Sequence, residues 1–122
     1  MRIFKNLWFS RFASKEGIQD GELKEIVNNV LETGQAEADL GGGVYKVRMA
    51  RQGEGKSGGY RIIVFFKSGE RTIYHYGFAK STQGNINKKE LKSMKKSAKD
   101  YFAYSEEQIK ELLTNGILLE IN

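Results

Sequence analysis

The stretch from Leu40 to Arg61 reads LGGGVYKVRMARQGEGKSGGYR, and the interpretation of the whole chain depends on it. Its first half, Val44–Ala50, alternates apolar residues with Lys46 and Arg48, which predicts a half-buried strand with a basic open face. The second half is a glycine-rich loop that leads to Arg61. Cations on a strand, followed by a loop whose backbone can approach a ligand closely, are typical of a site for a phosphate-rich partner.

The loop itself, ARQGEGKS over residues 50–57, is similar to a loose P-loop. A P-loop leads from a strand into a helix, whose N-terminal dipole helps to hold phosphates. The sequence GGYRIIVFF that follows predicts a second strand instead, so nucleotide hydrolysis is disfavoured. The resulting hairpin would gather five cations around one phosphate: Lys46, Arg48, Arg51, Lys56 and Arg61.

Helices are predicted on both sides of this hairpin. Apolar residues at helical spacing predict a first helix over residues 3–14, with Phe4, Leu7, Trp8 and Phe12 in its stripe. Asp20 is the predicted N-cap of a second helix. Capping boxes that begin at Asn87 and Ser105 predict two more helices. The first of these has a lysine-rich face over residues 88–99, which is either a solvated surface or a contact for a nucleic-acid backbone.

The predicted strands form an antiparallel meander with a short closing strand. A turn at residues 67–70 joins two of them, and alternation in the third places Tyr74, Tyr76 and Phe78 on one face and His75 on the other. Their predicted ranges are 44–50, 60–66, 72–78 and 117–121. We therefore expect an α+β domain, with two N-terminal helices packed on a small antiparallel sheet, C-terminal helices and the closing strand.

The composition favours an anionic partner. The 122 residues carry a net charge of +5 and fit a single domain. There is no cysteine and only one histidine, which excludes thiolate and histidine-cluster metal sites. We expect no metal and no other cofactor. No signal peptide and no apolar window of about 18 residues is visible, so the sequence predicts a cytoplasmic protein without a membrane anchor.

Aromatic residues next to the cations have two readings. Tyr76 and His75, with Lys80 just after their strand, form a surface on which unpaired RNA bases can stack. An aromatic stripe with a period of two is more often core, and a lone histidine is more often structural than a general acid or base. Both readings remain open from the residues alone.

The run VYKVRMARQGEGKSGGYRIIVFF, followed by IYHYGFAKS, resembles the RelE/ParE superfamily of bacterial toxins. It is most similar to the HigB-like branch, in which a glycine-rich segment leads into an apolar strand. The resemblance covers residues 40–80 and continues in element order to residue 103. It implies a single RelE-like domain over residues 1–122, in which residues 105–122 are a possible C-terminal extension.

The resemblance implies a metal-independent endoribonuclease that cuts mRNA on the ribosome through attack of the RNA 2′-hydroxyl on the adjacent phosphate. It assigns catalysis to Arg61, Arg48, Lys56 and Lys46. It assigns RNA binding to Arg51 and Lys80, and the aromatic surface adds Tyr76 and His75 to the expected RNA-binding residues. The tyrosine that RelE carries on its last helix has no counterpart here, since the region reads Asn85, Ile86 and Asn87. Proton transfer therefore remains open among Tyr76, His75, Lys46 and Lys56.

Two other functions are compatible with the same residues. One is inhibition of DNA gyrase without nuclease activity, as in the ParE branch, and the other is non-catalytic RNA binding. The retained cations favour the nuclease. In either toxin reading, the expected protein partner is a small antitoxin with a helix-turn-helix domain.

Overall fold

The computed structural model describes residues 1–50, 59–80 and 85–122. These residues form a six-stranded sheet in the order β2-β3-β4-β5-β1-β6, with helices on both faces. The elements are β1 Arg2–Asn6, α1 Leu7–Glu16, α2 Asp20–Ile26 with a π-helical turn over Val27–Leu31, β2 Ala38–Gly41, β3 Val44–Met49, β4 Tyr60–Lys67, β5 Arg71–Ala79, α3 Lys88–Ala103, α4 Glu106–Thr114 and β6 Leu118–Ile121. The predicted α+β class is confirmed.

The predicted meander lies in the middle of this sheet. β4 pairs antiparallel with β3 on one side and with β5 on the other, and all its residues except Lys67 are buried. The turn between β4 and β5 closes where the Glu70 N–H donates to the Lys67 carbonyl at 3.0 Å. These strands place Arg48 opposite Arg61, and Arg61 opposite Phe78.

The prediction of one helix over residues 3–14 is wrong at its start. Residues 2–6 form β1, which pairs parallel with β5 and antiparallel with β6. The helix begins only at Leu7, because the Asn6 side chain caps it by accepting a hydrogen bond from the Phe9 N–H at 2.7 Å. Gly17 ends it in the left-handed conformation, as predicted. The second helix is capped by Gln19 rather than by Asp20, which is its first residue.

Two hydrophobic cores lie on opposite faces of the sheet. Helices α1 and α2 cover the first core, to which β3 contributes Val47 and β4 contributes Ile62 and Val64. Helices α3 and α4 cover the second core, to which β3 contributes Val44. Lys46 and Arg48 alternate with Val47 and therefore lie on the face that α3 covers.

A β-bulge in β5 overturns the predicted alternation of its aromatic residues. Ile63 pairs with Tyr76 and the next residue, Val64, pairs with Tyr74, so His75 is an extra residue between them. Tyr74 and Tyr76 therefore belong to opposite cores. Tyr74 is fully buried, and its hydroxyl donates to the Leu23 carbonyl at 2.6 Å. Burial raises the pKa of Tyr74.

Both predicted capping boxes are confirmed. The Asn87 side chain accepts from the Glu90 N–H at 2.8 Å at the start of α3, and Ser105 accepts from the Gln108 N–H at 3.2 Å at the start of α4. In the described part of the chain, no helix is long and apolar enough to cross a membrane.

Candidate nucleic-acid interface

Two arginines face each other across β3 and β4, where the second core ends. Arg48 and Arg61 are directly opposed in the strand register, and Lys46 lies two residues earlier on the same side of β3. Like charges at directly opposed positions of a sheet repel each other. The predicted gathering of these three cations is thus present, and it needs a compensating anion.

Glu37 supplies that anion from within the chain. Its Oε2 lies 2.9 Å from Arg61 Nε, and its Oε1 lies 3.2 Å from Arg48 Nε. Its side chain is only 19% exposed. Reasoning from the sequence missed Glu37, because it comes just before β2 and far from both arginines along the chain. No local pattern marked it, and only the folding of β2 against β3 brings it to the site.

The two arginines differ in how much of each a ligand can reach. The side chain of Arg61 is 3% exposed, whereas that of Arg48 is 50% exposed. A guanidinium so deeply buried must be paired, because an isolated charge in a protein interior is strongly unfavourable. Arg48 therefore presents the accessible positive charge, and Arg61 fixes the carboxylate behind it.

Lys46 lies where α3 begins. Its Nζ approaches Asn85 Oδ1 at 3.4 Å, two residues before the cap of α3. Lys80 is exposed just after β5, and its backbone N–H donates to the Gly59 carbonyl at 3.0 Å. The structure thus brings Lys46 next to the arginine pair and places Lys80 where β4 and β5 meet at their ends.

Asn6 fixes the position of the His75 ring, whose predicted part in RNA binding stays a prediction. Asn6 uses its Oδ1 to cap α1, so its amide nitrogen faces the histidine, 3.2 Å from Nδ1 and 3.0 Å from the His75 carbonyl. The amide donates, so Nδ1 accepts and the neutral ring carries its proton on Nε2. The ring also stacks on Phe65, with centroids 4.6 Å apart. Burial lowers the pKa of His75, which agrees with a neutral ring.

Tyr76 takes part in a row of aromatic rings at the edge of the site. Its ring stacks against Trp8 with centroids 4.4 Å apart and lies 6.1 Å from the ring of Phe78. Trp8 was expected within the buried stripe of the first helix, yet 45% of it is exposed. The predicted burial of Trp8 depended on a helical spacing that begins at Phe4, but Phe4 belongs to β1.

The cavities around the arginine pair are small. One of about 290 Å³ is lined by Val30, Gln35, Val47 and the Glu37–Arg48 pair. A larger cleft, of about 590 Å³, opens beside α1 and α2, but its described lining has Glu16 and Glu22 against Lys15 alone, and this net negative charge disfavours a phosphate. The candidate interface is therefore the exposed surface around Arg48, rather than an enclosed pocket.

Lys56 and Arg51 lie outside the described residues, so their predicted part in the site stays a prediction. In residues 1–50, 59–80 and 85–122, no group of three or more His, Cys, Asp or Glu side chains is placed to hold a metal ion.

Comparison with known proteins gives one family match. The family model described as the RelE toxin of the RelE/RelB toxin–antitoxin system matches residues 1–121. Neither the curated proteins nor the solved structures include a match to this chain. The match covers β1 through β6, so it includes the arginine pair and Glu37 as well as the C-terminal helix and strand.

Proposed function

The chain belongs to the RelE toxin family, and from this premise we propose that it is a type II toxin that cleaves mRNA on the ribosome. The observation that carries the proposal is the opposed pair of Arg48 and Arg61. Within residues 1–50, 59–80 and 85–122, two guanidinium groups share one carboxylate there, with Lys46 adjacent, so these four side chains together carry a net positive charge. Such a surface suits the phosphodiester of a single RNA strand.

The proposed reaction is an internal transfer that needs no outside reactant. The 2′-hydroxyl oxygen of one nucleotide attacks the adjacent phosphorus and loses its proton, while the bond from phosphorus to the 5′-oxygen of the next nucleotide breaks. The leaving oxygen takes up a proton, and a 2′,3′-cyclic phosphate remains. Negative charge on the phosphoryl oxygens grows in the transition state, where fixed cations stabilise it most.

The exposed fraction of each cationic side chain determines the role that we assign to it. Arg48 and Lys46 contact the phosphate in this proposal, because their charged ends are reachable. Arg61 acts as a positioning residue, since it is buried and holds Glu37, which in turn orients Arg48. Lys56 and Arg51 join the phosphate contacts on the strength of the sequence alone. Lys80 and Tyr76 are assigned to RNA on either side of the cleaved bond.

The family premise also bears on where the protein acts and what restrains it. A RelE-type toxin is paired with an antitoxin, and we propose a small helix-turn-helix protein for that role in the cytoplasm. Acidic side chains of such a partner would neutralise the cluster around Arg48, which explains how binding would silence the activity.

The proposal is tested by cleavage of mRNA in a reconstituted translation reaction. We expect the protein to cut ribosome-bound mRNA even when EDTA has chelated the transition metals. Primer extension should locate the cuts, and end-group analysis should show 2′,3′-cyclic phosphate ends. Arg48→Gln should lower the cleavage rate by about 100-fold, the loss expected when one group that stabilises transition-state charge is removed.

Lys110→Gln is the control, since Lys110 is exposed on α4, which packs against β6 at the opposite edge of the sheet from β2 and β3. It removes the same charge and should cut at the wild-type rate. Intact mRNA with DNA damage in expressing cells would contradict the nuclease and favour gyrase inhibition. RNA binding without either effect would leave a binding module.

A further inference from the structure

We infer that Trp8 and Tyr76 form a stacking subsite for an unpaired nucleobase next to the phosphate contacts, an inference that rests on the proposed action on RNA. Four large apolar residues are notably exposed in the described chain, namely Met1, Leu7, Trp8 and Ile117. Trp8 is the aromatic residue among these four, and its ring stacks within a row of aromatic side chains.

The row runs across the sheet and is fixed at several points. Phe12 stacks on Trp8 with centroids 5.5 Å apart, and it packs edge-on against Tyr60 at 5.6 Å. A Cβ on Gly77 would lie 2.5 Å from the Phe12 ring, so the glycine makes room for that ring directly on β5. Trp8 is consequently held in one orientation before any ligand binds, which lowers the entropy lost on binding.

The row leads toward the cations through the strand register. Tyr76 is opposite Ile63, and Ile63 is opposite Lys46, so these three residues form one rung across β5, β4 and β3. The next rung consists of Phe78, Arg61 and Arg48. Two strand spacings separate Lys46 from Tyr76, which is about 10 Å. A strand of RNA whose phosphate contacts Lys46 and Arg48 therefore has bases within reach of Trp8.

The chemistry of the surface favours a base over other partners. A base has a flat π-face that stacks on an aromatic ring whatever its sequence, and each such contact contributes about 1–3 kcal/mol. A protein partner would instead use the apolar patch as a whole, including Leu7, which lies next to Ile117 through a backbone hydrogen bond of 3.0 Å. Substitutions of Trp8 and of Leu7 can therefore distinguish a bound nucleobase from a bound protein.

Trp8 is the only tryptophan in the chain, so its fluorescence reports on this site alone. The probe is a short 2′-O-methyl oligoribonucleotide of mixed sequence, which cannot undergo the cleavage reaction. Its partner probe is an abasic oligonucleotide with the same number of phosphates. We expect the first probe to quench Trp8 emission on binding and the abasic probe to leave the emission unchanged.

Variants give the second arm, with binding followed by anisotropy of the labelled oligonucleotide. Trp8→Leu should weaken binding roughly tenfold, the loss expected from one stacking contact. Trp8→Phe keeps a stacking ring and should recover most of the affinity. Leu7→Ala is the matched control and should bind as the wild type does.

Several results would overturn the subsite. These are absence of quenching at any oligonucleotide concentration, equal quenching by the abasic probe, or equal loss of binding in Leu7→Ala and Trp8→Leu. Failure of the subsite can be told apart from failure of the proposed function. Base-dependent quenching without mRNA cleavage would retain the subsite and reject the nuclease, whereas cleavage without quenching would do the reverse.

Discussion

Two opposed pairs of arginines lie in this sheet, and they are compensated differently. Arg48 and Arg61 face each other across β3 and β4 and share the single carboxylate of Glu37. Arg2 and Arg71 face each other across β1 and β5.

The second pair has two carboxylates. Arg2 binds Glu120 at 2.9 Å and Glu106 at 2.6 Å, and Arg71 binds Glu106 at 3.0 Å. Arg71 also donates to the carbonyls of Tyr101 and Tyr104, at 2.8 and 2.6 Å, where α3 ends. Hydrogen bonding to Arg2 holds the pKa of Glu120 below its usual value.

The contrast separates a structural use of arginine from the functional use that we propose. In the Arg2–Arg71 pair, each positive charge is matched by a negative one, and α3, α4 and β6 are tied together as a result. Among the described residues, the charges of Arg48, Arg61 and Glu37 sum to one positive charge, and the side chain of Arg48 is half exposed. An excess charge contributes little to folding, but it remains available to an anionic ligand. Three variants test this contrast.

The largest effect is expected from Glu37→Ala. The substitution removes the carboxylate that both arginines share, so it should lower the free energy of unfolding by about 3 kcal/mol, as when one partner of a buried pair is lost. Denaturant unfolding measures this. Glu32→Ala, at an exposed nearby position, is the control and should stay within about 0.5 kcal/mol of the wild type.

A double variant sharpens the same test. Replacing Glu37 and Arg61 together by leucine removes the pair as a unit, so most of the lost stability should return. Cleavage should nevertheless stay low, because Arg48 then lacks the carboxylate that orients it. A double variant that is stable and cuts at the wild-type rate would show that Glu37 and Arg61 serve folding alone.

A smaller loss of stability is expected from Arg71→Ala. The substitution leaves the carbonyls of Tyr101 and Tyr104 without their donor, and hydrogen bonds from a charged group suggest a cost of about 2 kcal/mol. RNA cleavage should be unchanged once the protein is folded. The control is Lys67→Ala, which breaks only an exposed ion pair with Glu70. A cleavage defect in folded Arg71→Ala would erase the distinction between the two pairs.

The smallest expected effect is a pH dependence of the free energy of unfolding. It originates at His75, which lies on β5 between the two arginine pairs. Because burial lowers the pKa of His75 in the folded state, the unfolded chain binds the proton more readily. Its contribution to stability is complete above the unfolded pKa of about 6.5 and is lost as the pH falls below that value toward the folded pKa. Protonation would also turn Nδ1 into a donor facing the Asn6 amide.

The measurement is the free energy of unfolding between pH 5 and pH 8. The wild type should lose stability toward pH 5, and His75→Phe, which retains a ring against Phe65, should show a flatter profile. Parallel profiles for the two proteins would assign the acid sensitivity to other groups.

Local signals in the sequence were sufficient for much of the fold. The capping boxes at Asn87 and Ser105, the stop at Gly17 and the alternation around Val47 each depend on residues within a few positions of one another. They predicted four helices and the central meander. The placement of Lys46 and Arg48 on one face of β3 was predicted for the same reason, although α3 covers that face instead of leaving it open.

What the sequence did not reveal depends on distant partners. β1 carries an apolar spacing that a helix would also satisfy, and only β5 and β6 make it a strand. The bulge at His75 shifts the faces of Tyr74 and Tyr76, and Gly77, two residues later in the same strand, is a local sign of irregularity that does not reveal which residue is extra. Glu37 joins the arginines through the pairing of β2 with β3, so no count of nearby acids could include it.

The position of β1 has a kinetic consequence. In sequence order this strand is the first of the six described, yet it lies between β5 and β6, and its Arg2 pairs with Glu120, 118 positions away. Folding rates fall as contacts become more distant along the chain, since the entropy of closing long loops is lost before the contacts form. The β3–β5 meander can assemble early and β1 can then pair with β5, but the pairing of β1 with β6 must wait for residue 121. The pairing of β1 with β6 is therefore expected to be the last and slowest step in forming the sheet.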